Sequence, residues 1–118
     1  MLRVSSQFTV QDNILIVRLR GEIDHHETIA LRKEWQDYLQ KYNISHIVLN
    51  VQDVTFMDSS GIGVLLGRYK EISEQGGQFI VCSVHPQVDR LFEMAGLYKI
   101  VQTAKDEQSA LSMLGVTS

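Results

Sequence analysis

The stretch Phe56-Met57-Asp58-Ser59-Ser60-Gly61-Ile62-Gly63 gathers the residue types most able to do chemistry. Asp58, Ser59 and Ser60 all favour a helix N-cap, where a side-chain oxygen accepts from backbone N–H groups the helix leaves unpaired. The positive end of the helix dipole adds an attraction for anions. A serine hydroxyl there has three readings: a plain helix cap, a phosphoacceptor or anion seat, or a nucleophile. A phosphate on Ser59 or Ser60 would be tolerated locally. Gly61 and Gly63 strip bulk from the first turn, so a partner's backbone or nucleotide site could approach closely.

Enzyme and nucleotide signatures fail at this segment. A nucleophile elbow on Ser59 needs glycine at positions 57 and 61, and Met57 breaks it. A dinucleotide fingerprint starting at Gly61 would need glycine where Leu66 stands. No phosphate loop with a Gly-Lys-Ser/Thr ending follows Gly61 or Gly63. His25 and His26 are adjacent, between Asp24 and Glu27. Helical neighbours diverge by about 100°, so they cannot chelate one metal as an i,i+4 pair can. His46 and His85 come from other segments, and Cys82 is the only cysteine. Neither a metal site, nor a cofactor, nor an intramolecular disulfide is predicted. Residues 21–26 read as a loop entering a helix, with Asp24 as its cap and its surface a candidate binding face.

The elements that must position these groups follow from hydrophobic spacing. Residues 8–10 and 14–19 read as strands around the turn Gln11-Asp12-Asn13, with Gly21 ending the second. Residues 27–42 carry Leu31, Trp35, Tyr38, Leu39 and Tyr42 on one helical face. A buried strand over 44–51 precedes a second helix over 60–74, stopped by Gly76-Gly77. A strand over 79–82 leads to a helix opened by Pro86, with Val88, Leu91, Phe92 and Ala95 inward. Ile100-Val101 form a short edge strand, and Asp106 caps a last helix burying Ala110, Leu111 and Leu114. The order β-β-α-β-α-β-α-β-α predicts an α/β domain with a mixed sheet and about four helices packed on it. Gly63 and Gly67 suggest close helix-to-sheet packing, with a flat landing site for a partner as the alternative. Cys82 reads as a small buried hydrophobe, and Arg18, Arg20, Arg68 and Lys70 as solvated charge.

Composition narrows the function classes. The 118 residues are 44% hydrophobic and 21% charged, an ordinary globular mixture for a single domain over 1–118. With 11 Lys+Arg against 14 Asp+Glu, the net charge of −3 argues against binding nucleic acid by bulk charge. No apolar run approaches the ~20 residues of a membrane-spanning helix. The N-terminal residues contain no apolar signal-peptide region, which predicts a cytoplasmic protein.

Four segments together resemble one family. They are Gly21-Glu22-Ile23-Asp24-His25-His26, His46-Ile47-Val48-Leu49-Asn50, Phe56 to Gly63, and Leu91-Phe92-Glu93-Met94-Ala95-Gly96-Leu97. In this order and spacing they look like the STAS family, and within it the bacterial anti-sigma factor antagonists, most of all the branch acting on the sporulation sigma factor F. The resemblance runs from about Phe8 to Val116. It implies a mixed sheet carrying helices, and a protein that is not an enzyme. It further implies that the unphosphorylated form binds an anti-sigma factor, itself a serine kinase, and so frees the sigma factor. Phosphorylation on the serine after the motif aspartate, Ser59, would inactivate it, and a serine phosphatase would restore it.

Ile23 and Ile62 stand where leucine is common in that family, a near-isosteric change. Ser60, where stress-response relatives more often carry threonine, favours the sporulation branch. The partner-binding residues expected are Asp24, His25, Asp58, Ser59, Ser60, Gly61, Ile62 and Gly63, with Ile62 open to a core reading as well. The alternatives are a general stress-response antagonist, a regulatory domain cut from an anion transporter, and a small serine-dependent enzyme.

Overall fold

A computed structural model describes residues 5–116. The chain runs β1 (Ser5–Gln11), β2 (Ile14–Ile23), α1 (His25–Lys41), β3 (His46–Met57), α2 (Ser59–Glu74), β4 (Phe79–Cys82), α3 (Pro86–Met94), a 3-10 turn (Leu97–Lys99), β5 (Gln102–Ala104) and α4 (Glu107–Met113). One five-stranded sheet has the order β1-β2-β3-β4-β5. The β1–β2 pair is antiparallel and the other three pairs are parallel. Asp12 turns the hairpin at φ 55°, a left-handed conformation that aspartate tolerates.

The three crossovers β2-α1-β3, β3-α2-β4 and β4-α3-β5 all step the same way across the sheet. Right-handed connections therefore carry α1, α2 and α3 to one face. That face holds the main core, where Leu15, Val17, Leu49 and Val81 meet Leu31, Trp35, Leu65 and Phe92. Among the described residues the opposite face is covered by α4 and the residues that follow it, with Ala110 against Ile14, Ile16, Val48, Ile80 and Cys82 and with Leu111, Leu114 and Val116 at the margin. The central strands are apolar on both sides because both sides are covered.

Several expectations need correction. Gly21 does not end β2; at φ 86° it sits in an irregularity of the β2–β3 ladder, and the strand continues to Ile23. A bulge of this kind lets a strand bend without ending, and only glycine takes that backbone cheaply. Residues 21–23 are thus strand, and the loop shrinks to Asp24 before α1. Likewise β3 runs on to Met57, since Val54 and Met57 resume burial beyond exposed Gln52 and Asp53. The edge strand lies at Gln102–Ala104, not Ile100-Val101, because the 3-10 turn occupies the preceding residues. Tyr42 and Ala95 are exposed, each at the frayed end of its helix.

Arg18 is not solvated charge. Its Nε donates to Glu107 Oε2 at 2.6 Å and its Nη2 to Oε1 at 2.8 Å, while Asn50 Nδ2 also donates to Oε2 at 2.7 Å. This forked pair bolts the first turn of α4 to β2 and β3. Hydrogen bonds from Arg18 hold the Glu107 carboxyl below its ordinary range, against the opposing effect of burial. A carboxyl depressed in the folded state stabilises above its unfolded pKa and loses that contribution as pH falls through the folded one. Glu107→Gln is expected to lower stability at neutral pH by roughly 1 kcal/mol. Thermal melts from pH 7 down to about pH 3 should show a shallower acid limb in the variant, because its side chain does not titrate.

Candidate functional site

The predicted site residues sit at the ends of two neighbouring parallel strands. Ile23 of β2 is in register with Met57 of β3. The next residue on each strand is an aspartate, and each caps a helix. Asp24 Oδ1 accepts from His26 N at 3.0 Å and Glu27 N at 3.3 Å. Asp58 Oδ1 accepts from Ser60 N at 2.9 Å and Gly61 N at 3.3 Å. The two caps share one backbone conformation, φ −104° and −102°. Asp58 N also donates to Ile23 O at 3.2 Å, fastening the start of α2 to the end of β2.

His25 and Ser59 are therefore the first residues of two adjacent helices, and both are exposed. Ser60 is half-buried. The structure thus gathers Asp24, His25, Asp58, Ser59 and Ser60 along one edge. It corrects the anion-seat reading in one respect. The amides of Ser60 and Gly61 are already taken by Asp58, so the mouth of α2 holds a carboxylate of its own.

Gly61 and Ile62 face inward instead. A Cβ on Gly61 would lie 2.5 Å from Met57 Cγ and 3.2 Å from Ile23 Cγ2. Its missing side chain brings α2 against the strand ends and opens nothing to a partner. Ile62 is 7% exposed and belongs to the main core, so of its two readings the core one holds. Gly63 and Gly67 reverse the packing expectation, since a Cβ at either would meet nothing within 4 Å. Both lie on the open side of α2 beside partly exposed Leu66.

Two apolar side chains near this edge were invisible to hydrophobic patterning. Ile29, one turn after His25 on α1, is 75% exposed, and Phe56, two residues before Asp58, is 49% exposed. Their signal is only a break of phase with the buried set Thr28, Leu31 and Trp35, or Val54 and Met57.

Among the described residues no three His, Cys, Asp or Glu side chains converge as a metal site. The rings of His25 and His26 lie 4.0 Å apart, tilted by 37°. A shallow hollow of about 510 Å³ lies over the β2–β3 irregularity, lined by Arg20, Gln52, Asp53, Val54, Thr55, His85 and Gln87. It includes no residue of the Asp58–Gly63 turn. Cys82 is fully buried in β4, and burial pushes its thiol up to about 12, so it is no nucleophile.

The match to known proteins follows this geometry. The STAS domain family matches residues 5–110. The chain belongs to the STAS family. It is 48% identical over 105 residues to an anti-sigma F factor antagonist of Paenibacillus polymyxa, covering 89% of this chain and 90% of that one. Its fold is similar to the unphosphorylated form of the anti-sigma factor antagonist SpoIIAA, with TM-score 0.82 and 29% identity over 97% of this chain and 100% of that one. The phosphorylated form of the Bacillus cell fate determinant SpoIIAA is also similar, with TM-score 0.74 and 29% identity over 93% and 99%. This STAS branch, the anti-sigma factor antagonists, consists of regulatory binding proteins and not enzymes. No helix among the described residues is long and apolar enough to cross a membrane.

The inward set and the edge set should separate in mutants. Ile62→Ala is expected to cost about 2–4 kcal/mol of stability, as a cavity under α2. Gly61→Ala should also destabilise, through the clash with Met57. Chemical denaturation measures both losses. Ser60→Ala, which leaves the Asp58 cap intact, should fall within about 0.5 kcal/mol of the parent.

Proposed function

We propose that this protein is an anti-sigma factor antagonist of the sporulation sigma factor F system, working in the cytoplasm as a phosphorylation-gated binding module. Unphosphorylated, it binds an anti-sigma factor that is also a serine kinase, and the sigma factor is released. Phosphorylation of Ser59 by that kinase ends the binding, and a serine phosphatase reverses it. The observation that carries the reading is Ser59 itself: an exposed hydroxyl on the first residue of α2, beside exposed His25 of α1, in a chain 48% identical to a sigma F antagonist.

The physics of the switch is local. A phosphate adds ~1.5 to 2 negative charges at neutral pH. On Ser59 it would stand next to the Asp58 carboxylate and one strand away from Asp24. The amides of Ser60 and Gly61 already serve Asp58, so the phosphate gains little from folding back on them and turns outward, where a partner docks. Like charges held across an interface cost several kcal/mol. A loss of ~3 kcal/mol weakens binding more than a hundredfold with no movement of the backbone.

The kinase supplies nucleotide, Mg²⁺ and any catalytic base, because phosphoryl transfer rests mostly on positioning and electrostatics. Asp58 is a cap, committed to two backbone amides, and holds the acceptor turn in shape. Asp24 does the same for His25. Ser59, Ser60 and Gly63, with His25, form the partner-facing edge, while Gly61 and Ile62 support it from beneath.

Phosphosite mapping by mass spectrometry tests this. The protein, Ser59→Ala and Ser60→Ala are incubated with the cognate anti-sigma kinase and ATP-Mg²⁺. One phosphate on Ser59, lost only in Ser59→Ala, is expected, together with at least hundredfold weaker binding of the phosphorylated form. Modification of Ser60, or none by a demonstrably active kinase, would overturn the assignment.

A further inference from the structure

The two borders of the sheet are unlike. β5 is 3 residues long and is followed at once by Lys105 and Asp106. Short strands and nearby charges are how proteins keep a sheet border from pairing with another chain. β1, the other border, has neither protection. It is 7 residues long, and its sequence Ser-Ser-Gln-Phe-Thr-Val-Gln contains no charge, proline or glycine. All seven residues pair with β2 without a bulge. Among the described residues no strand pairs with its other side.

The pattern of β1 is self-complementary about Phe8. Gln11 pairs with Ile14 across a two-residue turn, which closes with a hydrogen bond between those outer residues. Alternation along the antiparallel ladder then turns the N–H and C=O groups of Ser6, Phe8 and Val10 away from β2. Their partners across the ladder are Leu19, Val17 and Leu15, so these three side chains share the main-core face. Gln7 and Thr9 pair with Arg18 and Ile16 and take the other face. A two-fold axis at Phe8 sets Phe8 against its own copy, Ser6 against Val10, and Gln7 against Thr9. Each pair keeps its face, the outward backbone groups of Ser6, Phe8 and Val10 find complements, and no like charges meet.

The neighbouring flank of α1 adds a charge match. Ser6 Oγ donates to Glu34 Oε1 at 2.8 Å, and the Phe8 ring stacks on Tyr38 at 4.8 Å. α1 therefore runs in the same direction as β1, about one helical turn for every two strand residues. The next turn holds Lys41 and Tyr42, level with Val10, and Lys41 Nζ lies 5.6 Å from the centre of the Tyr42 ring. Since Ser6 of one copy stands opposite Val10 of the other, the same axis brings Glu34 of each copy toward Lys41 of the other. Half-buried Phe8 and Tyr38 lie between these charges, with Tyr42 39% exposed beside them.

We infer that this border docks a second copy of the chain, β1 against β1 in antiparallel, joining two five-stranded sheets into one. The contact is isologous: once the β1 strands are paired, only the short β5 borders remain, and association stops at two. β1 lies on the side of β2 away from β3, so α2 and Ser59 take no part in it. The pairing stands apart from the antagonist reading above.

Sedimentation equilibrium of the full chain, from about 1 µM to about 1 mM, tests the pairing through mass action. The mass is expected to rise from one chain toward two. Amide hydrogen exchange at the two ends of that range should show protection of Ser6, Phe8 and Val10 only in the dimer. Glu34 and Lys41 are both exposed, so substitutions there leave the fold intact. Glu34→Lys or Lys41→Glu alone sets like charges across the axis twice and should weaken dimerisation about tenfold. The double variant Glu34→Lys/Lys41→Glu restores opposite charges and should return to within about threefold of wild type. A single-chain mass throughout overturns the proposal. A dimer that leaves Phe8 and Val10 amides unprotected, or that the single variants leave within about twofold, overturns it as well, because it forms elsewhere.

Discussion

The parallel register of β2 and β3 governs the rest of the molecule. Ile23 pairs with Met57, and the chain leaves both strands through an aspartate that caps the next helix. Once that register is set, α1 and α2 begin side by side and present their first residues on one edge. A slip of one residue would turn every buried side chain of a strand to the wrong face. The core residues Leu15, Val17, Ile47 and Leu49 therefore enforce the position of His25 and Ser59 from a distance. Gly61 closes the arrangement by letting α2 approach Met57 and Ile23, where any Cβ would force it away.

The one-way progression of the sheet has a second consequence. With α1, α2 and α3 on one face, the other would be left bare but for α4. That helix has 7 residues, too few to hold itself by propensity. It is retained by Asp106 at its N-cap, Ala110 in the minor core, and the fork between Arg18 and Glu107. The half-buried ion pair thus completes a layer that apolar packing alone would leave short. The working edge is built on the well-packed face, away from this lighter attachment.

Legibility in the sequence followed the strength of each physical signal. Asp24, Asp58, Pro86 and Asp106 announced four helix starts, because capping chemistry is local and needs only its neighbours. The parallel core strands were legible as apolar runs. Strand ends were not: Gly21 and Gln52-Asp53 look like terminations, yet the ladder runs through them as irregularities, sustained by burial of Ile23, Val54 and Met57. Charges were misread for a related reason. Arg18 and Arg68 carry no local mark of burial: Glu107, the partner of Arg18 at 89 residues' distance, meets it only after folding, and Arg68 is covered only once α2 packs into place. Ile62 was the undecided case, since helical phase gives it to the core and its place beside Ser59 gives it to the surface; depth under the strand ends settles it.

The same geometry bears on the switch proposed above, which can be abrupt without being conformational. The acceptor turn is over-determined: Asp58 holds two amides with its side chain, Ser60 and Gly61 receive that grip, and Ile62 anchors the turn from below. Added charge on Ser59 finds no vacant donors among those amides and a carboxylate already in place. Its energy is therefore not absorbed by rearranging α2 but expressed at whatever surface meets the edge. A rigid support turns a small covalent change into a difference in affinity, because an interface between close-packed surfaces cannot yield by degrees. Flexibility in this turn would weaken the switch by letting the charge move aside. In the proposed switch the paired aspartate caps and the bare Gly61 would therefore matter by holding the turn in place.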